Sequence, residues 1–360
     1  MRAPKNQLFV FAAPLLAWYD KKGRALPWRH RWPDLAPAYD VLLSELMLQQ
    51  TVVATVIPYF LRFKELFPTI TDLAYCDDDV LMREWAGLGY YARARNLKKA
   101  ALAVIENHDG IFPTTEKDLL NLPGVGPYTA AAIQAFAFDQ PAIVLDGNVE
   151  RVMARFLAIE TQLPALKQEL RTHYPDLQPQ NRHSDFAQAI MDLGASICIS
   201  GRPRCEACPL SGDCASAFSD LAETLPRKAP KKPKPKRNGV VFVALSGDKA
   251  VMKRRGEKGL LGGMMGFPTA GWQSKDDAPS GLADAPFDAD WQKSTHEVHH
   301  VFTHFALRLE IYIATNAIDQ KAIDQKQAEQ AGYALVQPDQ AGLPTLFQKV
   351  WDKVKIAQLP

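Results

Sequence analysis

The hydrophobic pattern of the chain changes character near residue 226. Before that point, apolar residues recur at the spacing of three and four that marks one face of a helix. The pattern is clearest over residues 41–47, 97–104 and 130–138, with turns rich in glycine or proline between the runs. We therefore predict an all-helical (all-α) first domain over residues 1–225.

The region after residue 238 has the pattern of strands. Residues 239–245 form an apolar run rich in valine, residues 250–252 form a short second run, and residues 307–314 alternate in character. Alternation with a period of two is typical of a strand that has one face in the core. We predict an α+β second domain over residues 239–360.

The two predicted domains are joined by a segment in which prolines alternate with cations, residues 226–238. Proline lacks the amide proton that a helix or a sheet needs, so this composition favours extended, polyproline-like chain. We predict a linker. It is either a solvated spacer or a spacer that also contacts DNA phosphates.

Composition is that of an ordinary soluble globular protein, with 47% hydrophobic and 23% charged residues among 360. These values exclude wholesale disorder and a small disulfide scaffold. The net charge of +2 is unevenly distributed, because residues 1–226 carry −4, residues 239–360 carry −1, and the intervening segment carries +7. Attraction to a polyanion must therefore come from local patches.

The apolar stretch 8–18 follows two cations and has two interpretations. One is a signal peptide, and the other is an amphipathic first helix that starts near Pro14. The helical pattern continues through Asp20, Lys21 and Lys22 without a small-residue cleavage site, which favours the helix. No apolar run reaches the length of a membrane span.

The cysteines give the strongest chemical signal. Cys198, Cys205, Cys208 and Cys214 are separated by six, two and five residues. Four thiols in so short a span, without a secretory context, indicate a metal site rather than disulfides. The spacing alone does not decide between tetrahedral zinc and an iron–sulfur cluster.

Residues 122–133 combine a Gly-x-Gly turn with an alanine-rich helix. Gly124 and Gly126 flank Val125, and leucines precede the turn, which is typical of a helix-hairpin-helix. In such a hairpin the backbone amides at the start of the second helix bind a phosphate without reading bases. We predict a DNA-backbone contact here.

Two carboxylates are candidates for chemistry. Asp146 precedes an apolar helix, where the spacing by itself favours an ordinary N-cap. Glu45 lies among leucines and a methionine, so it is either turned outward or buried with a raised pKa, as a general acid requires. Taken without further context, the outward orientation is favoured for Glu45.

The order of several motifs resembles the adenine DNA glycosylases of the MutY type, within the helix-hairpin-helix DNA glycosylase superfamily. The motifs cover essentially the whole chain: 26–29 (LPWR), 44–51 (SELMLQQT), 87–96 (GLGYYARARN), 122–126 (LPGVG), 145–149 (LDGNV) and the four cysteines. The resemblance implies base-excision repair, in which adenine opposite 8-oxoguanine or guanine is flipped out of double-stranded DNA and removed. It also implies that the four cysteines hold a 4Fe-4S cluster.

The resemblance assigns roles to individual residues. Glu45 is implied as the catalytic acid and Asp146 as the carboxylate that stabilises the positively charged sugar, with Asn148 beside it in the catalytic pocket. Further residues are implied to contact the DNA or the lesion, namely Arg29, Leu48, Gln49, Gln50, Thr51, Leu88, Gly89, Tyr90, Gly124 and Gly126.

Tyr128 distinguishes hydrolysis from lyase chemistry. The related endonuclease III-like lyases have a nucleophilic lysine two positions after the second hairpin glycine. This chain has Tyr128 there, so we expect hydrolysis alone, with Tyr128 in the catalytic pocket. A bifunctional glycosylase/lyase stays an alternative.

The second domain resembles the Nudix-like lesion-recognition domain of the same family. Residues 262–290 contain no glutamate-rich array for magnesium, so we expect recognition rather than hydrolysis. Phe302, Thr303 and His304 match the recognition turn of the family, with threonine in place of serine. The histidines at 296, 299, 300 and 304 also allow a metal site, which the lack of accompanying carboxylates or cysteines disfavours.

Two hypotheses from other classes compete with this one. A non-catalytic DNA-binding or redox-sensing iron–sulfur protein would lack Glu45 or Asp146, and both are present. A nucleotide hydrolase would need the absent glutamates. We expect a monomer that acts on double-stranded DNA, has no membrane partner, and belongs to the cytoplasm of a bacterium, at the nucleoid.

Overall fold

The computed structural model of the protein describes residues 7–229, 233–256, 259–272, 281–315 and 332–357. The chain divides into two compact units. The first consists of Met1–Cys76 and Arg95–Lys231, and the second of Asp77–Ala94 and Lys232–Pro360. The segment 77–94 lies within the predicted helical domain by sequence, yet it groups with the second unit.

The described part of the chain before residue 230 is helical, as predicted. Its α-helices are α1 (Gln7–Lys22), α2 (Ala38–Leu48), α3 (Val53–Leu66), α4 (Ile70–Ala74), α5 (Asp78–Glu84), α6 (Ala92–His108), α7 (Glu116–Leu120), α8 (Pro127–Phe138), α9 (Gly147–Phe156), α10 (Ala165–Leu177), α11 (His183–Ser196) and α12 (Asp220–Thr224). Among the described residues, no helix is both long and apolar enough to cross a bilayer.

Helix α1 is longer than its sequence suggests. The expectation that it starts near Pro14 is wrong, because the helix begins at Gln7 and contains Pro14. A proline removes one hydrogen bond of the helix, and the packing of neighbouring side chains offsets this loss. Phe11 and Leu15, on either side of Pro14, are completely buried.

One core of the first unit lies between α1, α9, α10 and α11. Phe11 contacts Phe156 and Phe186 edge to face, with ring centroids 4.7 and 6.0 Å apart, and Tyr174 contacts Phe186 in the same way. Edge-to-face pairs of this kind stabilise a core beyond the burial of their area. This core fixes α9 and α11 relative to each other.

Helix α2 is buried on all sides. Every residue from Tyr39 to Met47 is buried, and the helix packs against α3 and α8. Leucine and alanine favour helix, and the alanine-rich sequence of α8 allows its close approach to α2. Because α2 presents no face to solvent over this stretch, any polar side chain on it must lie inside the protein.

Helices α7 and α8 form the predicted hairpin. The turn between them closes with a hydrogen bond from the Val125 amide to the Leu122 carbonyl, and both side chains are buried. Gly124 has φ +79°, and a Cβ there would lie 2.6 Å from the Cβ of Asn96. Only glycine fits that position. Gly126 is the N-cap of α8 and has open space around it.

The second unit contains a mixed β-sheet, as predicted. Its described strands are β1 (Lys236–Ser246), β2 (Lys249–Arg254), β3 (Met265–Gly266), β4 (Thr269–Ala270), β5 (Gln292–Val301), β6 (Ala306–Ala314) and β7 (Tyr333–Val336). The order is β3-β2-β1-β6-β5, with β4 paired to β1 and β7 to β2. Strands β1 and β6 are parallel, and the other pairs are antiparallel.

A final helix, α13 (Thr345–Ala357), belongs to the core of this unit. Its apolar residues Phe347, Val350 and Trp351 pack with Phe267 and with inward-facing residues of the sheet. Strand β1 starts at Lys236, so the first strand begins within the segment predicted to be linker.

Candidate active site and cysteine pocket

A cavity of about 330 Å³ lies in the first unit. The residues that line it come from the loop after α1, from α2 and the turn after it, from the start of α3, and from α8, α9 and α11. They are Arg24, Leu26, Trp28, Arg29, Ala36, Val41, Ser44, Glu45, Leu48, Gln49, Val53, Tyr128, Phe136, Asp146, Asn148, Gln188, Met191 and Ala195. The cavity therefore collects residues from four separate sequence motifs.

Glu45 is buried in the wall of this cavity, with 5% of its surface exposed. The favoured expectation that it turns outward is wrong, because α2 has no solvent-facing side at this point. Burial raises the pKa of the Glu45 carboxyl to about 7, with a further increase from nearby Asp146. A hydrogen bond from Tyr128 and the charge of Arg29 lower the pKa in part. Near neutral pH the side chain can hold and release a proton.

Tyr128 lies in the first turn of α8 and hydrogen-bonds to the Glu45 side chain. Burial, together with the charges of Glu45 and Asp146, raises the pKa of the Tyr128 phenol well above its ordinary value. The phenol therefore stays protonated and donates its hydrogen bond to the carboxyl. This bond fixes the orientation of the Glu45 side chain.

Asp146 is an N-cap, as its spacing indicates, and it also lines the cavity. Its Oδ1 accepts hydrogen bonds from the backbone amides of Asn148 and Val149, at 2.8 and 2.7 Å. Its Oδ2 accepts one from the Asn148 side chain at 2.9 Å. Three donors and the start of a helix stabilise a negative charge at this point.

The Asn148 side chain is the first link of a hydrogen-bonded chain that ends at the cysteines. Its Oδ1 accepts a bond of 2.9 Å from Arg151, whose Nε donates to the carbonyl of Cys198 at 2.7 Å. Arg151 also donates to the carbonyl of Gly194 at 2.6 Å. A Cβ at Gly194 would lie 2.6 Å from that of Asn148, so a glycine is needed where α11 passes α9.

Asp192 on α11 holds two arginines of the cavity wall and was missed at the level of sequence. Its carboxylate accepts from the Arg24 backbone amide and Nε, each at 2.7 Å, and from Arg29 Nη1 at 2.8 Å. The Asp192 side chain is 1% exposed and that of Arg29 is 9% exposed. Arg29, assigned to DNA contact by resemblance, thus forms a buried ion pair in the wall.

Gln188 lines the cavity and was likewise missed at the level of sequence. Its Nε2 donates to Ser184 Oγ at 2.9 Å, and its Oε1 accepts a bond of 3.4 Å from the Tyr19 hydroxyl. Gln188 and Asp192 are four residues apart, so they lie on the same face of α11. That spacing of two polar residues within an apolar helix was the available signal.

The motif of residues 44–51 passes from the cavity wall to the protein surface at its C-terminal end. Leu48 and Gln49 line the cavity. Gln50 and Thr51 do not, and Gln50 is exposed with φ 59°, in the left-handed region. The motif therefore leads from the cavity wall to the surface within two residues.

Four cysteines line a separate small cavity of about 30 Å³, namely Cys198, Cys205, Cys208 and Cys214. They form no disulfides. Arg155, which is 2% exposed, donates to Cys198 Sγ at 3.4 Å and to the carbonyls of Ile199 and Gly201 at 2.8 Å. Across the described residues, no three histidine, cysteine or acidic side chains are gathered closely enough to hold a single ion. The histidines at 296, 299, 300 and 304 are likewise not grouped in such a set.

In the second unit, Tyr90 lies beside the turn that the family resemblance selects. The Tyr90 hydroxyl is 3.1 Å from Thr303 Oγ1. Tyr90 is half exposed, and Thr303 and His304 are exposed. Phe302 stacks on buried Trp272, with ring centroids 5.8 Å apart. The turn is thus anchored by Phe302 and presents polar groups to solvent.

The loop residues before Tyr90 are held by hydrogen bonds to neighbouring side chains. Leu88 is buried, Gly89 has φ +68° and Tyr90 φ +48°. The carbonyl of Gly89 accepts hydrogen bonds from Trp85 Nε1 at 3.1 Å and from Arg93 at 3.0 Å. These contacts hold the Tyr90 ring at the surface.

The first unit therefore offers a proton donor and a stabilised negative charge on the walls of one cavity. A protonated carboxyl next to a carboxylate is the arrangement that cleaves glycosidic bonds, because one group protonates the leaving group and the other stabilises the cationic sugar. Nothing in this arrangement needs a metal.

Comparisons with known proteins agree with this chemistry. Residues 43–175 match the HhH-GPD superfamily of base excision DNA repair proteins, and residues 240–353 match the NUDIX domain. The structure of a thermostable thymine-DNA glycosylase superposes with a TM-score of 0.52 at 28% identity, over 59% of this chain and 96% of that one.

Curated relatives match over most of this chain. The adenine DNA glycosylase of Buchnera aphidicola (subspecies Acyrthosiphon pisum) is 32% identical over 96% of this chain and 98% of its own. The human adenine DNA glycosylase is 33% identical over 85% of this chain and 67% of its own. The chain belongs to the adenine DNA glycosylase family, and it is a DNA glycosylase of base-excision repair.

Proposed function

We propose that this glycosylase removes adenine that is mispaired with 8-oxoguanine or guanine, by hydrolysis alone. The observation that carries the proposal is the pairing of a buried, protonatable Glu45 with the hydrogen-bonded Asp146 on one cavity. The cavity volume of about 330 Å³ suits one nucleobase with part of its sugar. Adenine must therefore leave the base stack to reach it, which is cheaper at a mispair.

Glu45 is the general acid of this proposal. Its proton passes to N7 of adenine, so that the C1′–N9 bond breaks with both electrons going to a neutral base. The raised pKa of Glu45 near 7 matches this role, because the acid is still protonated near neutral pH and yields its proton readily. Tyr128 orients the carboxyl through its hydrogen bond.

Asp146 stabilises the oxocarbenium ion that remains on the sugar. Its three hydrogen bonds hold the carboxylate in place, so an opposite charge lies next to C1′ as positive charge develops. A water molecule then adds to C1′ and gives up its proton to the Glu45 carboxylate, which leaves an abasic site and restores the acid. Asn148 keeps Asp146 in place through the bond of 2.9 Å.

Hydrolysis without strand cleavage follows from the composition of the cavity wall. No lysine is among the described residues that line the cavity. Tyr128 occupies the position of the lyase nucleophile, and a phenol kept protonated by burial is a poor nucleophile. We therefore do not favour the glycosylase/lyase alternative.

We propose a 4Fe-4S cluster as the group held by the four cysteines. A zinc ion with Zn–S bonds of about 2.3 Å needs sulfurs roughly 3.8 Å apart, whereas a cluster of four irons holds its thiolates farther apart. The four thiols line one cavity and form no disulfides, and the family resemblance supports the cluster there. Bound there, the cluster supplies a structural anchor for the loop between α11 and α12.

The partner of this enzyme is double-stranded DNA in our proposal. A Cβ at Gly126, the N-cap of α8, would meet nothing within 4 Å, so there is room for a backbone phosphate at the start of this helix. The turn of Phe302, Thr303 and His304, together with Tyr90, is proposed to contact the base opposite adenine. We expect the protein to act as a monomer at the nucleoid.

The test is a duplex that carries one adenine opposite 8-oxoguanine, treated with alkali after incubation, beside an adenine–thymine control. We expect strand cleavage only at the mispaired adenine and only after alkali. Cleavage without alkali, or trapping of a covalent adduct by borohydride, would contradict simple hydrolysis. Tight binding to the mispair without release of adenine would instead support a non-catalytic DNA-binding protein.

A further inference from the structure

We infer that Asp192 is a positioning residue for base excision, which holds Arg29 beside Glu45 and neutralises its charge so that Glu45 keeps its proton. The inference rests on the proposed role of Glu45 as the acid. It assigns a catalytic consequence to a residue that lies outside the cavity lining. It also explains why a cation is tolerated next to a group that must stay neutral.

The geometry fixes both arginines through one carboxylate. Oδ1 of Asp192 lies 2.7 Å from Arg24 Nε, 2.6 Å from Arg24 Nη2 and 2.8 Å from Arg29 Nη1, while Oδ2 accepts from the Arg24 amide at 2.7 Å. Charge-assisted bonds of this length are strong and directional. The side chains of Asp192 and Arg29 are 1% and 9% exposed, so solvent weakens the bond between them little.

Arg29 and Glu45 line the same cavity. The positive charge of Arg29 favours the ionised form of Glu45, against the effects of burial and of Asp146. The groups that face Glu45 are Tyr128 from α8, Asp146 from the N-cap of α9, and Arg29 from the loop after α1. Arg24, from the same loop as Arg29, also lines the cavity, and Asp192 on α11 pairs with both arginines.

Removing the Asp192 charge should therefore shift the protonation of Glu45 in a defined direction. In Asp192→Asn, Arg29 keeps its charge and loses the anion that offsets it. The ionised form of Glu45 gains stability, so its pKa falls and the active, protonated form disappears at a lower pH. A purely structural role for Asp192 would instead reduce activity equally at all pH values.

The experiment is the single-turnover rate of adenine release by the full chain between pH 5 and 9, for the parent and Asp192→Asn. We expect the decline of the rate at high pH to move down by about one pH unit. The rates should be similar near pH 5.5, and Asp192→Asn should be about tenfold slower near pH 8. An unshifted profile would overturn the inference.

Two further variants separate positioning from folding. Asp185→Asn makes the same change on the same helix, at a completely buried residue that pairs with Arg182 and does not line the cavity. We expect lower thermal stability and an unshifted profile. In the double variant Arg29→Gln/Asp192→Asn the profile should move back toward higher pH, because the cation is also gone.

The result also distinguishes this inference from the proposed function. If Glu45→Gln releases adenine at the parental rate, the role of Glu45 fails and the inference fails with it. If Glu45→Gln is inactive and the Asp192→Asn profile is not displaced, the acid is correct and only the role of Asp192 is refuted. A partial return of the parental profile in Asp192→Glu would further support the positioning role.

Discussion

In the first unit the polar groups of the site are buried and held by several hydrogen-bonding partners. In the second unit the polar groups of the lesion-recognition turn lie at the surface and have few such partners. Glu45 and Asp192 are almost fully buried and bonded to neighbouring side chains. Thr303 and His304 are exposed. Proton transfer at neutral pH needs a group removed from water, and recognition of a base needs groups that solvent can reach. In the proposed function, the two units divide these requirements.

The largest effect is expected from a substitution in the buried site of the first unit. Glu45→Gln keeps the shape and removes the acid, so adenine release should fall about 10²- to 10⁴-fold while binding to the mispaired duplex survives. The control is Asp40→Asn, on the same helix, where the buried carboxylate pairs with Lys64 at 2.7 Å. Asp40→Asn should lose stability and keep its activity. Near-parental release by Glu45→Gln would refute the mechanism.

Glu45→Gln should lower the rate of adenine release but raise the stability of the folded protein above neutral pH. The pKa of Glu45 is higher in the folded state, at about 7, than the ordinary value of 4.5. The free energy of unfolding of the parent therefore falls as pH rises from about 4.5 to 7, because the carboxyl of the unfolded chain ionises over this range while the buried carboxyl keeps its proton. Glu45→Gln avoids this loss. Chemical denaturation should show the variant more stable by on the order of 1–3 kcal/mol at pH 8, and little different at pH 4.5.

Tyr128→Phe sharpens the comparison by removing one hydrogen bond inside the cavity. That bond lowers the pKa of Glu45, so its loss should raise the pKa and move the decline of activity to higher pH. The direction is opposite to that expected for Asp192→Asn. The rate near pH 6 should fall by up to about tenfold, since the carboxyl is less well oriented. A shift to lower pH would show that the bond does not act on the charged form.

The smallest effect is expected at the exposed surface of the second unit. Thr303→Val removes the hydroxyl that lies 3.1 Å from Tyr90. We expect a loss of roughly twofold to fivefold in the preference for 8-oxoguanine over guanine, because an exposed hydrogen bond contributes little. Thr303→Ser keeps the hydroxyl and is the matched control. Competition between the two duplexes for a limiting amount of enzyme measures the preference.

Much of this site could be predicted from local sequence, and the rest depended on helix packing. Glu45, Asp146 and Tyr128 stand in motifs, and the hairpin at Gly124 has a local steric reason. The burial of Glu45 was not predictable from α2 alone, because it depends on neighbours that pack on every side. Asp192 has no motif around it, and its role depends on a loop more than 160 residues away in sequence.

The segment 77–94 shows the same limit for domain organisation. Its sequence continues the helical pattern of the first unit, and Asp77 caps α5 in the ordinary way. Its membership of the second unit comes from long-range contacts such as the ion pair of 2.9 Å between Asp79 and Arg254. Such contacts between distant, exposed charges leave no periodic signal in the sequence.

Asp146 imposes a restriction on the variants that this position tolerates. The Asp146 carboxylate caps the N-terminus of α9 and also lines the cavity. Asparagine caps a helix about as well as aspartate, whereas alanine costs about 1 kcal/mol. Asp146→Asn therefore isolates the loss of the charge, and Asp146→Ala combines that loss with fraying of α9, which carries Arg151 toward the cysteine loop. An inherited substitution of Asp146 by any residue other than asparagine would therefore lower both catalysis and protein abundance, and the two defects could not be told apart.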